Sequence, residues 1–191
     1  LMRQDRSAKV TVYTKSKDIS YAGCGLPYYV GGSIETREEL IVNTPEKYMG
    51  LTGVEVKTEM EAVSVDASAK TVTFANGETV SYDKLIVATG ATPFVPNVAG
   101  TDKNGVFTMR TPDDAIGLRA YVDENKCHSA VVVGAGFIGL EIAENLLAKG
   151  LKVTVVDMAD QVMPGLFDTE MADYIRRHLQ AKGIRVVTGA A

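Results

Sequence analysis

Ser129-Ala130-Val131-Val132-Val133-Gly134-Ala135-Gly136-Phe137-Ile138-Gly139-Leu140 opens the stretch on which the fold turns, and that stretch runs on to Asp157. The apolar run Ala130–Val133 has the character of a strand buried on both faces. The glycine pattern follows, then an apolar-periodic helix to Leu147, then a stop at Gly150. A second β-branched run, Val153–Val156, ends on the acid Asp157. An isolated GxGxxG carries little weight, but here a strand precedes it, a helix follows it and an acid ends the next strand. Each part has a mechanical reason. Gly134 permits the tight turn, Gly136 lets backbone approach a pyrophosphate, and Gly139 lets the helix lie close to the strand. An anion there meets free N–H groups at the positive end of a helix. Asp157 can accept a hydrogen bond from a ribose 2′-hydroxyl and repels a 2′-phosphate. The stretch therefore reads as a dinucleotide site for NAD(H) rather than NADP(H); the plainer alternative is a glycine turn in a βαβ unit without a ligand.

Working outward, a helix over Pro112–Glu124 leads into this stretch. Downstream, Asp168 is the N-cap of a helix over Thr169–Lys182, with Met171, Ile175 and Leu179 as its apolar stripe and Gly183 at its end. Ile184–Thr188 is a further strand. Upstream, Leu1–Ser7 has the look of the last turns of a helix, and Lys9–Tyr13 is a strand. Ser20–Tyr29 is dense in glycine and aromatic residues. Leu26–Val30 is expected to be helical, with Pro27 near its first position, where the missing N–H costs nothing. Thr36–Leu40 and Thr44–Met49 are short helical segments, the second capped by Thr44. Val54–Val56 is a strand, and Ala62–Val65, Thr71–Phe74 and Val80–Tyr82 alternate as a meander. Asn76-Gly77 suggests a type I′ turn within it. Tyr82–Ala91 reads as a buried strand that ends in the small-residue turn Ala88-Thr89-Gly90-Ala91. Thr92–Gly105, with Pro93 and Pro96, is the linker.

An apolar content of 46% and a charged content of 23% are ordinary for a soluble globular chain of 191 residues. The net charge of −4 gives no reason to expect nucleic acid or an anionic membrane as partner. No apolar run approaches the roughly 20 residues of a membrane span, and the N-terminus has no signal-peptide pattern. Two cysteines make no disulfide framework, so a reducing cytoplasm is expected. Two histidines without a Cys/His cluster point to no metal site.

Cys24 is the cysteine with a distinctive setting. At the N-terminus of a helix starting near Leu26, the dipole and free amides favour a thiolate. Its bland alternative is a buried small hydrophobe. Cys127 abuts a strand and reads as structural. Tyr28 and Tyr29 suit the wall of a pocket or plain aromatic packing equally well, and His128 and His178 read as surface residues.

Taken in order, Ser20–Tyr29, then Tyr82–Leu85 leading to Ala88–Ala91, then the glycine segment closely resemble one family. It is the single-cysteine branch of the flavin-dependent pyridine nucleotide–disulfide oxidoreductases, the branch of coenzyme A-disulfide reductases, coenzyme A-persulfide reductases and NADH oxidases. The resemblance covers nearly the whole chain. It implies an α/β fold of two incomplete Rossmann-like (three-layer ββα type) nucleotide-binding domains with a β-meander. Residues 1–105 are expected to be a partial FAD-binding domain with the redox cysteine, and residues 106–191 the N-terminal part of an NAD(H)-binding domain. The flavin's own glycine-rich turn and the later part of such enzymes are expected to lie outside this chain.

The resemblance also implies roles residue by residue. Cys24 matches the redox cysteine. Lys15 matches a basic residue at the FAD edge, Val63 lies in the segment near the adenine, and Ala88, Thr89 and Gly90 match the second flavin-contacting turn. Arg110 matches an arginine near the flavin. Gly134, Gly136, Phe137, Ile138, Gly139, Glu141 and Asp157 match the NADH site, and Arg3 and Ser20 match positions that touch coenzyme A; Lys15 and Arg3 suit solvated charges as well. Thr14 stands where the family usually has an acid for the FAD ribose, and Gly23 where coenzyme A-disulfide reductases commonly have asparagine. The implied activity is reduction of a disulfide, a persulfide of coenzyme A type, or oxygen or peroxide, by NADH through FAD and Cys24. The expected partners are a small thiol, disulfide or persulfide and a second copy of the chain, with no nucleic acid, membrane or metal. The alternative is a truncated nucleotide-binding module without turnover.

Overall fold

The computed structural model describes residues 1–5 and 7–190; Arg6 and Ala191, which fall within the expected domain ranges, lie outside them. The chain packs as two compact units, one of Leu1–Tyr21 with Ile41–Thr92 and one of Ala22–Leu40 with Pro93–Ala191.

In the first unit, Leu1–Asp5 makes one turn, with the Gln4 and Asp5 N–H groups donating to the Leu1 carbonyl at 2.8 and 3.0 Å. The helix expected over Leu1–Ser7 is thus reduced to that turn among the described residues. Strand β1 (Thr11–Tyr13) pairs in parallel with Glu55–Lys57. β2 (Ser20–Tyr21) pairs antiparallel with β3 (Ile41–Asn43), with an irregularity between Ser20 and Tyr21. The helix over Pro45–Thr52 starts at Thr44, whose hydroxyl accepts from the Lys47 N–H at 3.3 Å, and ends at Gly53 with φ +73°. That cap and the proline at the first turn are the start signal expected from the residues. β4 (Glu55–Lys57) follows and leads to an antiparallel meander of β5 (Ala62–Asp66), β6 (Thr71–Phe74) and β7 (Thr79–Ser81). Tyr13 stacks on Phe74 with ring centroids 4.7 Å apart.

Two further details of the first unit differ from the sequence expectation. Asn76 keeps a negative φ and only Gly77 is positive, at +86°. The Gly77 N–H donates to the Phe74 carbonyl at 2.9 Å, so the connection is an ordinary turn closed by a left-handed glycine rather than type I′. The longer loop lets the Asn76 side chain accept from the Glu78 N–H at 3.0 Å. Leu85–Val87 forms no strand and stands exposed, Val87 at 72%. A strand buried on both faces needs hydrogen-bonded neighbours and two covering layers, and among the described residues β1 and β4 pair only with each other.

In the second unit a 3-10 turn, Gly23–Gly25, runs straight into α1 (Leu26–Gly31), with Pro27 in its first turn and Gly32 at φ +91° closing it. α2 (Arg37–Leu40) follows; α3 is the Pro45–Thr52 helix of the first unit. α4 (Pro112–Glu124) begins with a capping box in which Thr111 and Asp114 satisfy one another's backbone amides. β8 (Ser129–Val133), α5 (Phe137–Ala148), β9 (Lys152–Val156), α6 (Thr169–Ala181) and β10 (Arg185–Val187) form the rest. The three strands are parallel in the order β10-β9-β8, the arrangement of the first half of a doubly wound dinucleotide fold. The expected α/β fold with a meander is what the chain adopts.

The core is uneven. Among the described residues, Val54 and Phe74 are the buried apolar side chains of the first unit, whereas Val30, Leu40, Ala143, Leu146, Val155 and Val162 are among those of the second. β8 is not buried on both faces: Val131 and Val133 are 67% and 71% exposed, while Ala130 and Val132 turn inward toward α5. It is an edge strand with a helix layer on one face among the described residues. On α6 the inward residues are Ala172, Ile175 and Leu179, with Met171 exposed, so the apolar stripe sits one position from where it was expected to start.

Candidate functional site

The glycine turn has the geometry that the spacing demands. Gly134 takes φ +105° as the chain leaves β8, and its N–H donates to the Val156 carbonyl at 2.8 Å. A Cβ at Gly139 would lie 1.9 Å from the Gly134 oxygen, so only glycine lets α5 approach β8 this closely. A Cβ at Gly134 or Gly136 would meet nothing within 4 Å, so the space over the turn is open. No side chain caps α5 at Gly136, so its first-turn amides retain their capacity to bind an anion. Open space above uncapped amides at the positive end of a helix fits a pyrophosphate. Phe137 and Ile138, each 58% exposed, begin α5, and Glu141 lies half-buried one turn on. Asp157 closes the site from β9. Its Oδ2 accepts from the Ala135 N–H at 2.6 Å and its Oδ1 from the Ala159 N–H at 2.8 Å. These residues together fit the adenosine and pyrophosphate portion of NAD(H).

Cys24 lies in the same packing unit, exposed on the 3-10 turn before α1. Exposure disfavours the reading of Cys24 as a buried small hydrophobe. The turn is held by the Gly25 N–H donating to the Ala22 carbonyl at 2.8 Å and the Ala22 N–H donating to the Leu40 carbonyl at 2.7 Å. Behind it Gly25 is buried against Ile34 and Leu40, with a Cβ there 3.0 Å from Ile34 Cδ1. The far end of α1 sits on α5: a Cβ at Gly31 would come 2.2 Å from Asn145 Oδ1. The segment bearing the thiol and the helix bearing the glycine turn therefore pack directly on each other.

Two residues of this arrangement escaped the sequence reading. Arg119 on α4 donates from Nη1 to the Tyr29, Ile34 and Glu35 carbonyls at 3.2, 3.1 and 3.1 Å, and its guanidinium stacks 4.7 Å from the Tyr29 ring centre. Nothing local marks it, because its partners are 84 to 90 residues away. Tyr29 is accounted for by that stacking, and Tyr28 remains 44% exposed. Asn145 is 6% exposed and donates to the Glu141 carbonyl at 2.8 Å. A polar residue amid Ile142, Ala143 and Leu146 was the available signal. Cys127 is half-buried, with Sγ 4.0 Å from the Tyr121 carbonyl, and His128 and His178 are exposed.

The residues expected to face a flavin are distributed differently. Lys15, Val63, Ala88, Thr89 and Gly90 belong to the first unit and Arg110 to the second; all are exposed. Val63 is the extra residue of a bulge in β5, between Ala62 opposite Phe74 and Ser64 opposite Thr73. Ala88-Thr89-Gly90 presents small side chains and open backbone, with Gly90 at φ +73°, which fits close approach of a flat ring system. The Thr14 hydroxyl, where an acid was expected, accepts from the Ser16 N–H at 3.2 Å. Arg3 is exposed, and Ser20 is half-buried at the irregularity of β2. Among the described residues no group of three His, Cys, Asp or Glu could hold a metal, and no helix is long and apolar enough to cross a membrane.

Comparison with known proteins identifies the family. Residues 2–191 match the family described as pyridine nucleotide-disulphide oxidoreductase. The chain is 37% identical to an NADH oxidase of Methanocaldococcus jannaschii, over 98% of this chain and 43% of that protein. It is 34% identical to a coenzyme A disulfide reductase of Staphylococcus haemolyticus, over 96% of this chain and 42% of that protein. The solved structure of an NAD-dependent persulfide reductase from A. fulgidus superposes with a TM-score of 0.93 at 38% identity, over 100% of this chain and 36% of that one. The chain thus spans less than half the length of the relatives it matches. With a family match over nearly its whole length and the dinucleotide turn in place, the chain belongs to the pyridine nucleotide-disulphide oxidoreductase family.

Proposed function

We propose that this chain carries the NADH site and the redox thiol of an FAD-dependent oxidoreductase that reduces a disulfide, a persulfide of coenzyme A type, or oxygen or peroxide. The observation that carries the proposal is the single packing unit in which an exposed Cys24 and an open, uncapped glycine turn are built on touching helices. FAD, when bound, supplies the two-electron exchange between the nicotinamide and the thiol. The protein's own part is to bind, orient and offer a nucleophile. The turn at Gly134–Gly139 seats the pyrophosphate on free amides, and Asp157 takes the ribose hydroxyls and disfavours a 2′-phosphate. Met158-Ala159-Asp160-Gln161 supplies no arginine to offset that repulsion and adds a second acid. Cys24 as thiolate attacks a sulfur of the substrate, expelling the other sulfur as a thiolate and forming a mixed disulfide. Ala88–Gly90, Lys15, Val63 and Arg110 are proposed for the flavin, and Arg3 and Ser20 for the coenzyme A portion. The protein is proposed to work in the cytoplasm as a homodimer.

Nucleotide binding is tested on this chain, and turnover on a protein of the relatives' full length that carries it. Fluorescence titration should show NADH binding more tightly than NADPH. With FAD added, NADH-dependent reduction of coenzyme A disulfide should fall by at least about a hundredfold in Cys24→Ser, since serine forms no mixed disulfide. NADH affinity should be unchanged in that variant, and Cys127→Ser should alter neither quantity. Normal disulfide turnover in Cys24→Ser would overturn the thiol role. NADH binding without turnover in the wild type of that longer protein supports the second reading, a nucleotide-binding module.

A further inference from the structure

We propose that Asp157 is a positioning residue for the pyrophosphate turn as well as the acid that faces the ribose, so that nucleotide choice and turn geometry are coupled through one carboxylate. This rests on reading Gly134–Gly139 as the dinucleotide turn. The Ala135 residue is fully buried, and it precedes the N-cap of α5, so its N–H has no partner within the helix. Asp157 Oδ2 supplies the acceptor, at 2.6 Å. The other oxygen, Oδ1, accepts from the Ala159 N–H at 2.8 Å. One side chain thus ties the turn after β8 to the loop after β9. Its own backbone is fixed from β10: the Asp157 N–H donates to the Val187 carbonyl at 2.9 Å, and its carbonyl accepts from the Ala190 N–H at 3.1 Å. The Ala135 carbonyl accepts in turn from the Met163 N–H at 2.8 Å, which closes the loop onto the turn.

The consequence follows from the planarity of the peptide bond. The plane that carries the Ala135 N–H also carries the Gly134 oxygen, and that oxygen is the atom against which Gly139 seats α5. Holding the N–H therefore holds the carbonyl, and with it the register of the helix whose first amides receive the pyrophosphate. An ionised carboxylate has about four acceptor positions; two are occupied by the backbone, and the rest are available to ribose hydroxyls. Removing the acid to admit a 2′-phosphate leaves a buried N–H without an acceptor, a loss felt by every nucleotide that uses the turn.

The test separates the two duties of Asp157. Affinities for NADH and for its 2′,3′-dideoxyadenosine analogue are measured by fluorescence titration in wild type, Asp157→Ala and Asp157→Asn, alongside hydrogen exchange at the Ala135 amide. The analogue lacks both hydroxyls that a purely ribose-directed acid would bind. The expectation is a loss of about tenfold or more for the analogue in Asp157→Ala, the scale of one charge-assisted hydrogen bond, with faster exchange at Ala135. Asp157→Asn keeps one carbonyl oxygen and should restore the Ala135 protection and most of the analogue affinity. Melting temperature is read in parallel, because a merely structural role would lower it and leave the affinity of the folded variant unchanged. Equal analogue affinity in wild type and Asp157→Ala, or unchanged exchange at Ala135, overturns the proposal. If wild type binds neither nucleotide, the dinucleotide reading fails, and the exchange at Ala135 alone decides whether Asp157 holds the turn.

Discussion

Single atoms decide the glycine turn. A methyl group at Gly139 would have to overlap the Gly134 carbonyl oxygen, which is backbone and cannot rotate away. Gly139→Ala should therefore push α5 off β8, destabilising the chain by about 1–3 kcal/mol and abolishing measurable NADH binding. Gly136→Ala is the useful contrast. A Cβ there meets no protein atom within 4 Å, so the fold should persist while the methyl group occupies the space meant for the pyrophosphate. Denaturant titration and NADH fluorescence on both variants check the pair. An unchanged Kd in Gly136→Ala would show that the nucleotide does not approach the turn there.

Elements are held by a few long-range polar groups. Arg119 supports the C-terminal end of α1 and the Ile34–Glu35 segment through three carbonyls and the face of Tyr29. Arg119→Ala should cost about 2 kcal/mol and expose the Gly32–Glu35 stretch to limited proteolysis. Arg119→Lys should recover little, because an ammonium cannot stack its plane on Tyr29 while meeting all three oxygens. On α6 the control is electrostatic. Hydrogen bonds from Arg177 and Arg176 hold the Asp173 carboxyl below its ordinary value of 3.8. A depressed folded-state value means that the pair stabilises the folded form above that ordinary value, and that the benefit fades as pH falls through the lower, folded one. The melting-temperature difference between wild type and Asp173→Asn should thus be present at neutral pH and fade on acidification below that ordinary value. The Asp173 side chain is partly exposed and its Arg177 partner mostly so, and the difference should also shrink with added salt. A difference that grows on acidification would refute the sign.

At the scale of the whole molecule, burial is divided unequally between the two packing units. Val54 and Phe74 anchor the first, whereas the second buries a run of side chains from Leu26 to Ile184. Local opening is cheapest where few apolar side chains are buried. Hydrogen exchange should therefore be faster throughout β5, β6 and β7 than in β9 and α5, and denaturant should unfold the meander first. Protection of the meander equal to that of β9 would contradict this.

The amino-acid sequence by itself determined what is local and periodic. Thr44 and Asp168 cap helices because their side-chain oxygens reach amides three residues on. Gly134, Gly136 and Gly139 announce the turn because backbone geometry and close approach each demand glycine at that spacing. Asp157 is legible because it ends the next strand. The tertiary structure alone decided what depends on distant neighbours. Whether Leu85–Val87 is a buried strand depends on partners to either side, and an apolar run cannot report whether they are there. Whether Val131 and Val133 are covered depends on a second helix layer, which β-branched composition does not encode. The second duty of Asp157, the seat of Gly31 on Asn145 and the three carbonyls gathered by Arg119 all join residues more than twenty positions apart. Such contacts arise only when packing closes the chain on itself, because the order of residues records hydrogen-bonding capacity but not which partner will come within 3 Å.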